Sequence, residues 1–401
     1  MVSLSKIEKA ASRLEGVIHR TELDYSTTFS YMTGNEVFLK PENLQKTGSF
    51  KIRGAYNKIA QLTKKEKEKG VIASSAGNHA QGVALGAAEN DLESVIVMPE
   101  DAPIAKVTAT ENYGAEVVLH GSTYEEAYKK AKQLQKEEGY TFLPPFNDQA
   151  VIAGQGTIGL EIIADLDKVE FVLVPIGGGG LISGVALAVK ELKPEVKVIG
   201  VEAKKAASMK ESLQRGEITE LEDSDTSIAD GIAVKKPGEL TYKICRDYVD
   251  QIVTVSDKEV ANAILMLLER SKMTVEGAGA VTLAALLNNK IKVSKKKIAA
   301  ILSGGNIDVN MIAQIIERGL VKAGRRIKFK TILRDKPGSL EKLLRLIAKK
   351  GANVISVNHD HCKTGVPLDR AEVELELEIR NKDHAHNLYR ALEQAGYEIV
   401  N

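Results

Sequence analysis

The chain has 401 residues, of which 43% are hydrophobic and 27% charged, and its formal net charge is only +1. This length exceeds what one hydrophobic core usually supports, so two or three domains are expected. The composition excludes a wholly disordered chain, and the balanced charge argues against a general attraction to nucleic acid or anionic lipid. The two cysteines, Cys245 and Cys362, are far apart in sequence, which favours a reducing, cytoplasmic location.

Short apolar runs and amphipathic stretches alternate from about residue 70 onward. Residues 71–74, 94–98, 115–119, 171–176, 197–202 and 298–303 are predicted strands, and residues 124–135 and 259–271 are predicted helices. Strand and helix in repetition indicate an α/β fold with mostly parallel sheets. Ligands of such folds bind at the carboxyl ends of the strands, so the site is expected in the loops that follow them.

One uncharged segment, residues 171–189, is long enough to cross a bilayer. Pro175 and the four glycines from Gly177 to Gly180 lie in its middle, where they would break a spanning helix. The segment is therefore predicted to be a buried strand, a glycine turn and a buried helix.

The last 75 residues change in pattern. Apolar residues alternate with polar ones at 327–333 and again at 372–379, and each alternating stretch is followed by helical spacing, at 340–347 and about 383–395. With a second strand between them and a short closing strand, the order is β-α-β-β-α-β, which is ferredoxin-like. The predicted domains are residues 1–325 and 326–401.

The first chemical motif surrounds Lys51, in the segment 48–54 (Gly-Ser-Phe-Lys-Ile-Arg-Gly). A lysine is usually a solvated surface charge. Its aromatic and small neighbours suit a partly buried amine instead, and burial lowers the pKa of a lysine, as a Schiff-base lysine requires. Both interpretations stay open on the local sequence.

Two further motifs follow predicted strands. Residues 74–79 (Ser-Ser-Ala-Gly-Asn-His) suit either a plain helix cap or a carboxylate-binding helix start. Residues 175–181 (Pro-Ile-Gly-Gly-Gly-Gly-Leu) suit a phosphate cradle, because a glycine run is entropically costly unless the backbone approaches something closely. A flexible turn is the alternative.

The glycine run also fits a rival function. Gly178, Gly180 and Ser183 approximate the spacing of a dinucleotide-binding turn, and Glu202 ends the next strand where a ribose-binding acid would lie. A nicotinamide-dependent oxidoreductase is therefore an alternative, although it leaves the Lys51 and Asn78 motifs unexplained. A fourth motif, residues 303–306 (Ser-Gly-Gly-Asn), ends another strand with polar groups.

Taken in order, from residues 40–45 (Lys-Pro-Glu-Asn-Leu-Gln) to 303–306, these motifs closely resemble those of fold type II pyridoxal phosphate enzymes, and among them the threonine ammonia-lyases. The tail resembles an ACT regulatory domain. The resemblance implies a two-lobed α/β catalytic domain of the tryptophan synthase β type, with a smaller lobe at about residues 50–145, followed by the ferredoxin-like ACT domain.

The resemblance implies pyridoxal 5′-phosphate bound to Lys51, which also serves as the catalytic base. Asn78 matches the residue that binds the ring oxygen of the cofactor, and Ser303 matches the partner of the pyridine nitrogen. The implied cofactor-binding set is Lys51, Phe50, Asn78, Gly177, Gly178, Gly179, Gly180, Leu181 and Ser303. The implied substrate-binding set is Ser75, Ala76, Gly77, Asn78 and His79.

The implied reaction is dehydration and deamination of L-threonine to 2-oxobutanoate and ammonia, or of L-serine to pyruvate, as the first step of isoleucine biosynthesis. Serine racemases of the family carry a second serine, an acid-base group on the opposite face, where this chain has Ala76. Dehydration is therefore favoured over racemisation, which stays as an alternative.

The ACT resemblance implies an effector site at the turn that contains Asp335, Pro337 and Gly338, with isoleucine or valine as ligand. A plain assembly module is the alternative, and a homodimer or homotetramer is expected. No metal is expected: the polar cluster at residues 359–362 lacks a second ligand pair, and Ser208 replaces an aspartate that binds a cation in some relatives.

Overall fold

Short apolar runs form parallel strands in the first part of the chain, because helices cover both faces of the sheets. The computed structural model describes residues 2–222 and 227–400 and divides the chain into two units, residues 1–307 and 308–401. The strands of the first unit are β1 (Asp24–Tyr25), β2 (Glu36–Pro41), β3 (Val71–Ser74), β4 (Ser94–Met98), β5 (Glu116–Leu119), β6 (Thr141–Phe142), β7 (Phe171–Pro175), β8 (Lys197–Ala203), β9 (Gln251–Val255) and β10 (Lys297–Leu302). Its α-helices are α1 (Leu4–Leu14), α2 (Thr27–Thr33), α3 (Lys51–Ile59), α4 (Lys64–Lys67), α5 (Asn78–Ala88), α6 (Ile104–Glu111), α7 (Tyr124–Glu138), α8 (Gln149–Asp165), α9 (Gly180–Leu192), α10 (Ser208–Arg215), α11 (Glu239–Tyr248), α12 (Asp257–Met266) and α13 (Gly277–Leu287).

The first unit contains two sheets. The larger has the order β1-β2-β10-β7-β8-β9 and the smaller the order β5-β4-β3-β6. Neighbouring strands are parallel except for β1 and β2. Every residue of β3 and β4 is buried, which is typical of parallel strands covered on both faces. The smaller sheet lies entirely within residues 50–145, the segment predicted to be the smaller lobe.

The predicted strands of this unit are confirmed, with shifts of one residue at some ends. Helix α7 confirms the prediction at 124–135, whereas the helix predicted at 259–271 divides into α12 and a π-helical turn at Leu267–Ser271. The uncharged segment at 171–189 is strand β7, a glycine loop and part of α9, as predicted. Among the described residues, no helix combines the length and apolar character needed to cross a bilayer.

The second unit has its own antiparallel sheet. Its elements are α14 (Val309–Lys322), β11 (Arg326–Arg334), α15 (Ser339–Lys349), β12 (Asn353–Asp360), β13 (Arg370–Glu378) and α16 (Lys382–Gln394). The sheet order is β11-β13-β12, and the predicted closing strand is reduced to one bridge between Val400 and Lys330. The predicted alternation in β13 is confirmed, since its apolar side chains are buried and its glutamates face outward. Because α14 groups with this unit, the sequence boundary at 325/326 stays a prediction.

A buried ionic cluster holds helix α3 in the first unit. Arg53, in the first turn of α3, has no exposed surface. Its guanidinium meets both carboxylate oxygens of Glu42 at 2.7 and 2.8 Å and both of Glu161 at 2.5 and 3.0 Å. A further N–H donates to the Thr157 hydroxyl at 3.0 Å, so all five donors of the guanidinium have acceptors.

A second cation completes the cluster. Lys40 lies 2.5 Å from Glu161 and also donates to the Thr21 carbonyl, so two positive and two negative groups lie together, and only Glu161 is partly exposed. Although burial opposes ionisation, the charge and hydrogen bonds of Arg53 keep the pKa of Glu42 below its ordinary value. Paired in this way, Glu42 stays charged, and the cluster fixes the start of α3 against the turn that follows β2 and against α8.

We predict that Arg53→Met will lower the free energy of unfolding by about 3–5 kcal/mol, because it leaves buried carboxylates without their main partner. Urea unfolding followed by circular dichroism measures the change. The matched control is Lys58→Met on the same helix, which breaks a partly exposed ion pair with Asp148 and should cost about 1 kcal/mol or less. Equal losses in the two variants would contradict the proposed importance of the cluster.

Candidate active site

The predicted motifs meet at a cavity of about 610 Å³ in the first unit. It lies where β3, β7 and β10 end, in agreement with the rule that ligands of parallel sheets bind at the carboxyl ends of strands. Every residue predicted to contact the cofactor or the substrate lines it: Phe50, Lys51, Ser75, Ala76, Gly77, Asn78, His79, Gly177, Gly178, Gly179, Gly180, Leu181 and Ser303. The fold therefore brings all of these residues together, while their individual roles stay predictions.

Lys51 is the first residue of α3, and its side chain projects into this cavity. Its Nζ donates to the Pro145 carbonyl at 3.1 Å and lies 5.4 Å from the centroid of the Phe50 ring. Burial lowers the pKa of Lys51 to about 8, although the nearby Glu276 carboxyl acts in the opposite direction. Roughly one amine in ten is then neutral at pH 7, which suits a nucleophile or a base.

The loop after β3 forms one wall of the cavity. Ser75 accepts a hydrogen bond from the Gly77 N–H at 3.2 Å, and Asn78 begins α5. His79 is only 3% exposed, and its Nε2 lies 2.9 Å from the Leu143 carbonyl, so this nitrogen carries the proton. Burial, together with the charge of Lys51, lowers the pKa of His79 to about 3. The imidazole is therefore neutral.

The loop between β7 and α9 presents backbone donors to the cavity. No acceptor among residues 2–222 and 227–400 meets the N–H groups of Gly178, Gly179 and Gly180. Gly179 has φ of +93°, a left-handed conformation that favours glycine. Unpaired N–H groups at the start of a 13-residue helix form a site that suits a phosphate.

Close packing explains the glycines as well as ligand access does. A Cβ at Gly178 would lie 2.4 Å from the Phe146 ring, and one at Gly180 would lie 2.8 Å from the Phe146 Cβ. The Thr241 hydroxyl lies 2.6 Å from the Gly178 carbonyl and holds the loop from behind. The glycines are therefore required for close approach to this backbone, as the sequence predicts. Part of what approaches it is the Phe146 side chain and not a ligand.

Several buried polar atoms around the cavity have a distant hydrogen-bond partner or, within the described residues, none. Ser303 is 2% exposed, and its hydroxyl makes only a long contact of 3.4 Å with the Ala278 carbonyl. Within the described residues, the Ser74 hydroxyl and His79 Nδ1, both on residues that line the cavity, have no hydrogen-bond partner. Unsatisfied polar atoms are costly in a protein interior, so these groups mark a place for a polar ligand.

Sequence reasoning missed a carboxyl group in this cavity. Glu276 is 7% exposed and accepts a hydrogen bond from Asn78 Nδ2 at 2.7 Å. Burial, together with nearby Asp230, raises the pKa of Glu276 to about 7. The available signal was slight: a single acid precedes the small, apolar residues of α13, where it reads as an ordinary helix cap.

The nicotinamide alternative loses its ribose-binding acid. Glu202 accepts hydrogen bonds from the Met209 and Lys210 N–H groups at 2.9 and 3.0 Å, at the start of α10. It is completely buried and does not line the cavity. The carboxylate that the dinucleotide interpretation requires therefore acts as a helix cap.

The predicted effector residues lie in the second unit. Asp335, Pro337 and Gly338 are exposed in the turn between β11 and α15, where Gly338 has φ of +82°. Asp335 Oδ2 lies 2.9 Å from His361 Nδ1, and the rings of His359 and His361 are 4.3 Å apart. Part of the predicted polar cluster is thus joined to the turn.

We predict that Lys51 of the cofactor-free protein will react with acetic anhydride at pH 7.5 faster than exposed lysines do. Its lowered pKa leaves more of the reactive neutral amine at this pH, and raising the pH should reduce the advantage. Mass spectrometry of competitively labelled peptides measures the relative rates, with exposed Lys65 as the reference. Restricted access could also slow the reaction of the neutral Lys51 amine. Extending the pH series distinguishes this effect from a change of pKa, because access alters the plateau rate at high pH and the pKa alters the midpoint. A Lys51 titration midpoint no lower than that of Lys65 would refute the prediction.

Comparison with known proteins agrees with this geometry. The model of the pyridoxal-phosphate dependent enzyme family matches residues 14–304, and an ACT domain model matches residues 325–396. The L-threonine ammonia-lyase of Thermotoga maritima is 54% identical over 399 residues, which are 100% of this chain and 99% of the relative.

Solved structures show the same likeness. The processed form of threonine deaminase isoform 2 from Solanum lycopersicum has a TM-score of 0.75 and 39% identity, covering 78% of this chain and 87% of that one. Maize serine racemase has a TM-score of 0.75 and 37% identity, covering 80% and 98%. The chain therefore belongs to the pyridoxal-phosphate dependent enzymes and carries an ACT domain at its C-terminal end.

Proposed function

We propose that this protein is an L-threonine ammonia-lyase that converts threonine to 2-oxobutanoate and ammonia, and serine to pyruvate. The observation that carries the proposal is the convergence of Lys51, the unpaired N–H groups of the glycine loop and the Ser303 hydroxyl on one cavity. The full-length likeness to the Thermotoga maritima L-threonine ammonia-lyase supports this choice within the family.

The residues around the cavity fit pyridoxal phosphate. The N–H groups of Gly178, Gly179 and Gly180 would hold the phosphate, which needs several donors and finds them without other partners. The Ser303 hydroxyl would meet the ring nitrogen, and Lys51 would carry the cofactor. When bound, the cofactor supplies an electron sink that makes the Cα–H of an attached amino acid acidic.

The protein's own groups then direct the reaction. With its pKa lowered by burial to about 8, Lys51 can take a proton near neutral pH and return it as an acid. The loop from Ser75 to Asn78 offers a hydroxyl and a helix start to the substrate carboxylate. The Ser303 hydroxyl would donate a hydrogen bond to the ring nitrogen without supplying a proton, and a cofactor held in this way would favour elimination.

Racemisation is the second candidate, because maize serine racemase shares this fold at 37% identity. Racemisation needs a proton donor on the face of the substrate opposite Lys51. In the family pattern that donor is a serine, and at its place this chain has Ala76, which lines the cavity with a methyl group. An alanine has no proton to exchange, so elimination is the better-supported reaction.

We predict that the purified protein will be yellow with bound pyridoxal phosphate and will form 2-oxobutanoate from L-threonine and pyruvate from L-serine. D-serine should be negligible by chiral chromatography, because Ala76 cannot donate a proton. Borohydride should fix the cofactor to Lys51, and Lys51→Ala should lower the elimination rate roughly a thousandfold or more. Lys58→Ala, on the same helix but outside the cavity, is the matched control and should retain wild-type activity.

Three results would count against the proposal. Label on a different lysine would remove Lys51 from its central role. Absence of keto acid from both substrates would exclude an ammonia-lyase for these amino acids. Abundant D-serine with hydrogen exchanged from solvent would favour the racemase.

We also propose that the second unit binds a branched-chain amino acid, isoleucine or valine, at the turn after β11. The match to the ACT domain family supports a regulatory module. The turn carries the exposed Asp335 carboxylate four residues before α15 begins at Ser339, so a carboxylate and a helix start are available for the ammonium and carboxylate of an amino acid. Feedback by isoleucine would fit an enzyme that begins isoleucine synthesis.

We predict that calorimetry with the full-length protein will detect binding of isoleucine or valine and that Asp335→Ala will weaken it roughly tenfold or more. Lys336→Ala, in the same turn, is the control, and neither change should alter elimination without effector. Because linkage is reciprocal, bound effector and substrate should alter each other's affinity by the same factor. If neither amino acid binds, a plain assembly module becomes the better interpretation.

We propose further that the protein forms a homodimer or homotetramer in the cytoplasm. Strand β12 is at the edge of its sheet in the described residues and exposes Ile355 and Val357, which suits pairing with another chain.

The two cysteines are unpaired, with Cys245 buried and Cys362 exposed, which suits a reducing compartment.

A further inference from the structure

A chain of hydrogen bonds crosses the wall of the cavity through three side-chain amide and carboxyl groups. Asn306 Nδ2 donates to the Thr47 carbonyl at 2.8 Å and to Asn78 Oδ1 at 2.7 Å. Asn78 Nδ2 donates in turn to Glu276 Oε1 at 2.7 Å. This series of hydrogen bonds begins at the main-chain carbonyl of Thr47 and ends at the buried carboxyl group of Glu276.

The direction of this chain is set at its beginning. A carbonyl oxygen only accepts, so the Asn306 atom next to Thr47 must be the nitrogen. That nitrogen in turn requires an oxygen from Asn78, because turning the Asn78 amide over would place two donors face to face. The nitrogen of Asn78 is thereby directed to Glu276, whichever protonation state the carboxyl group has.

Glu276 is held in place at the other end. Its backbone N–H donates to the Gly304 carbonyl at 3.1 Å, which ties the start of α13 to the loop after β10. A Cβ at Gly304 would lie 2.3 Å from Glu276 Oε1 and 3.1 Å from Asn78 Nδ2. Glycine at position 304 therefore leaves the space in which the carboxyl group reaches Asn78.

We propose that Asn306 and Glu276 are positioning residues that fix the Asn78 amide with its nitrogen toward the bound cofactor. An amide nitrogen carries two N–H groups, and only one of those of Asn78 is used by Glu276. The second has no acceptor among the described residues, and Asn78 lines the cavity. The inference rests on the proposed function, since the acceptor for this N–H is an oxygen of pyridoxal phosphate.

Loss of either positioning residue has a definite consequence. Without the donor at 306 or the acceptor at 276, the amide of Asn78 can rotate by half a turn and present its oxygen to the cofactor. Two acceptors then face each other, which removes a hydrogen bond and adds a repulsion. Ser75, Ala76 and Gly77, three other residues of the implied substrate-binding loop, make no contact with Glu276 or Asn306 among the described hydrogen bonds, so binding of substrate should change less than the properties of the cofactor.

The test compares Glu276→Leu, Glu276→Gln, Asn306→Asp and the wild-type protein, each refilled with pyridoxal phosphate after removal of the cofactor. Leucine removes the acceptor, whereas glutamine retains an amide oxygen that can accept from Asn78. The Asn306→Asp change replaces the amide nitrogen with a carboxylate oxygen, which has no hydrogen to donate to Asn78. The readouts are the dissociation constant of pyridoxal phosphate, the visible absorption maximum of the bound cofactor, and kcat and KM for L-threonine.

We expect Glu276→Leu and Asn306→Asp to bind the cofactor roughly 10-fold to 100-fold more weakly, the range for loss of a hydrogen bond to a charged group. Both should shift its absorption maximum and lower kcat more than they raise KM. Glu276→Gln should stay close to the wild type in affinity and absorption. If Asn306→Asp does not fold, Asn306→Ala removes the donor without adding charge and carries the same expectation.

Unchanged affinity and absorption in the leucine and aspartate variants would overturn the inference while leaving the proposed function intact. So would a glutamine variant as impaired as the leucine variant, because charge and not amide direction would then be decisive. A wild-type protein that takes up no pyridoxal phosphate would overturn the proposed function, and this inference with it.

Discussion

Two carboxylates and two cations that pair in the interior beneath α3, with only Glu161 partly exposed, constrain the position of the residue at the centre of the site. Arg53 lies in the same helical turn as Lys51, and its contacts with Glu42 and Glu161 join α3 to the turn after β2 and to α8. A lysine that is to react from a fixed point needs a backbone that does not move. Here that rigidity comes from charge pairing in the interior and not from the apolar core alone, which makes it costly to alter any one member.

The site itself is assembled from strand ends that are far apart in sequence. Each strand supplies a loop of small residues, and small side chains let backbone N–H groups and amides reach the cavity directly. The same arrangement appears at Gly304, where the missing side chain leaves space for Glu276. The small size of the loop residues therefore determines where the polar groups of the cavity can lie.

Sequence reasoning found the main motifs of this cavity because their signals are local. Lys51 stands out by its aromatic and small neighbours, Asn78, the glycine run and Ser303 each come after a predicted strand, and the rule for parallel sheets brings strand ends together. Glu276 was missed because its meaning depends on contact with Asn78, which lies 198 positions away. Glu202 misled for a different reason: the N–H groups that it caps lie only seven and eight positions away, but α10 was not predicted from the sequence.

In the second unit, too, features set by neighbouring residues could be predicted, and features set by distant contacts could not. The alternation of valine and leucine with glutamate in β13 predicts one buried and one solvated face, and that prediction depends only on neighbouring residues. The closing strand, in contrast, depends on pairing with β11, and only the bridge at Val400 forms. An alternation of apolar and polar residues can be seen within a single strand. The length of strand pairing depends on two strands, so one segment alone does not reveal it.

The contact between Phe146 and the glycine loop has a consequence for how this sequence can vary. Phe146 fills the space that side chains at positions 178 and 180 would occupy, while its neighbour Pro145 offers its carbonyl to Lys51. Positions 146, 178 and 180 are therefore coupled by packing: side chains at 178 and 180 fit only if the residue at 146 is smaller. Such a joint substitution would also disturb Pro145, whose carbonyl accepts a hydrogen bond from Lys51. Substitution of Phe146 is therefore limited by the reactive lysine, although the Phe146 side chain takes no part in the reaction.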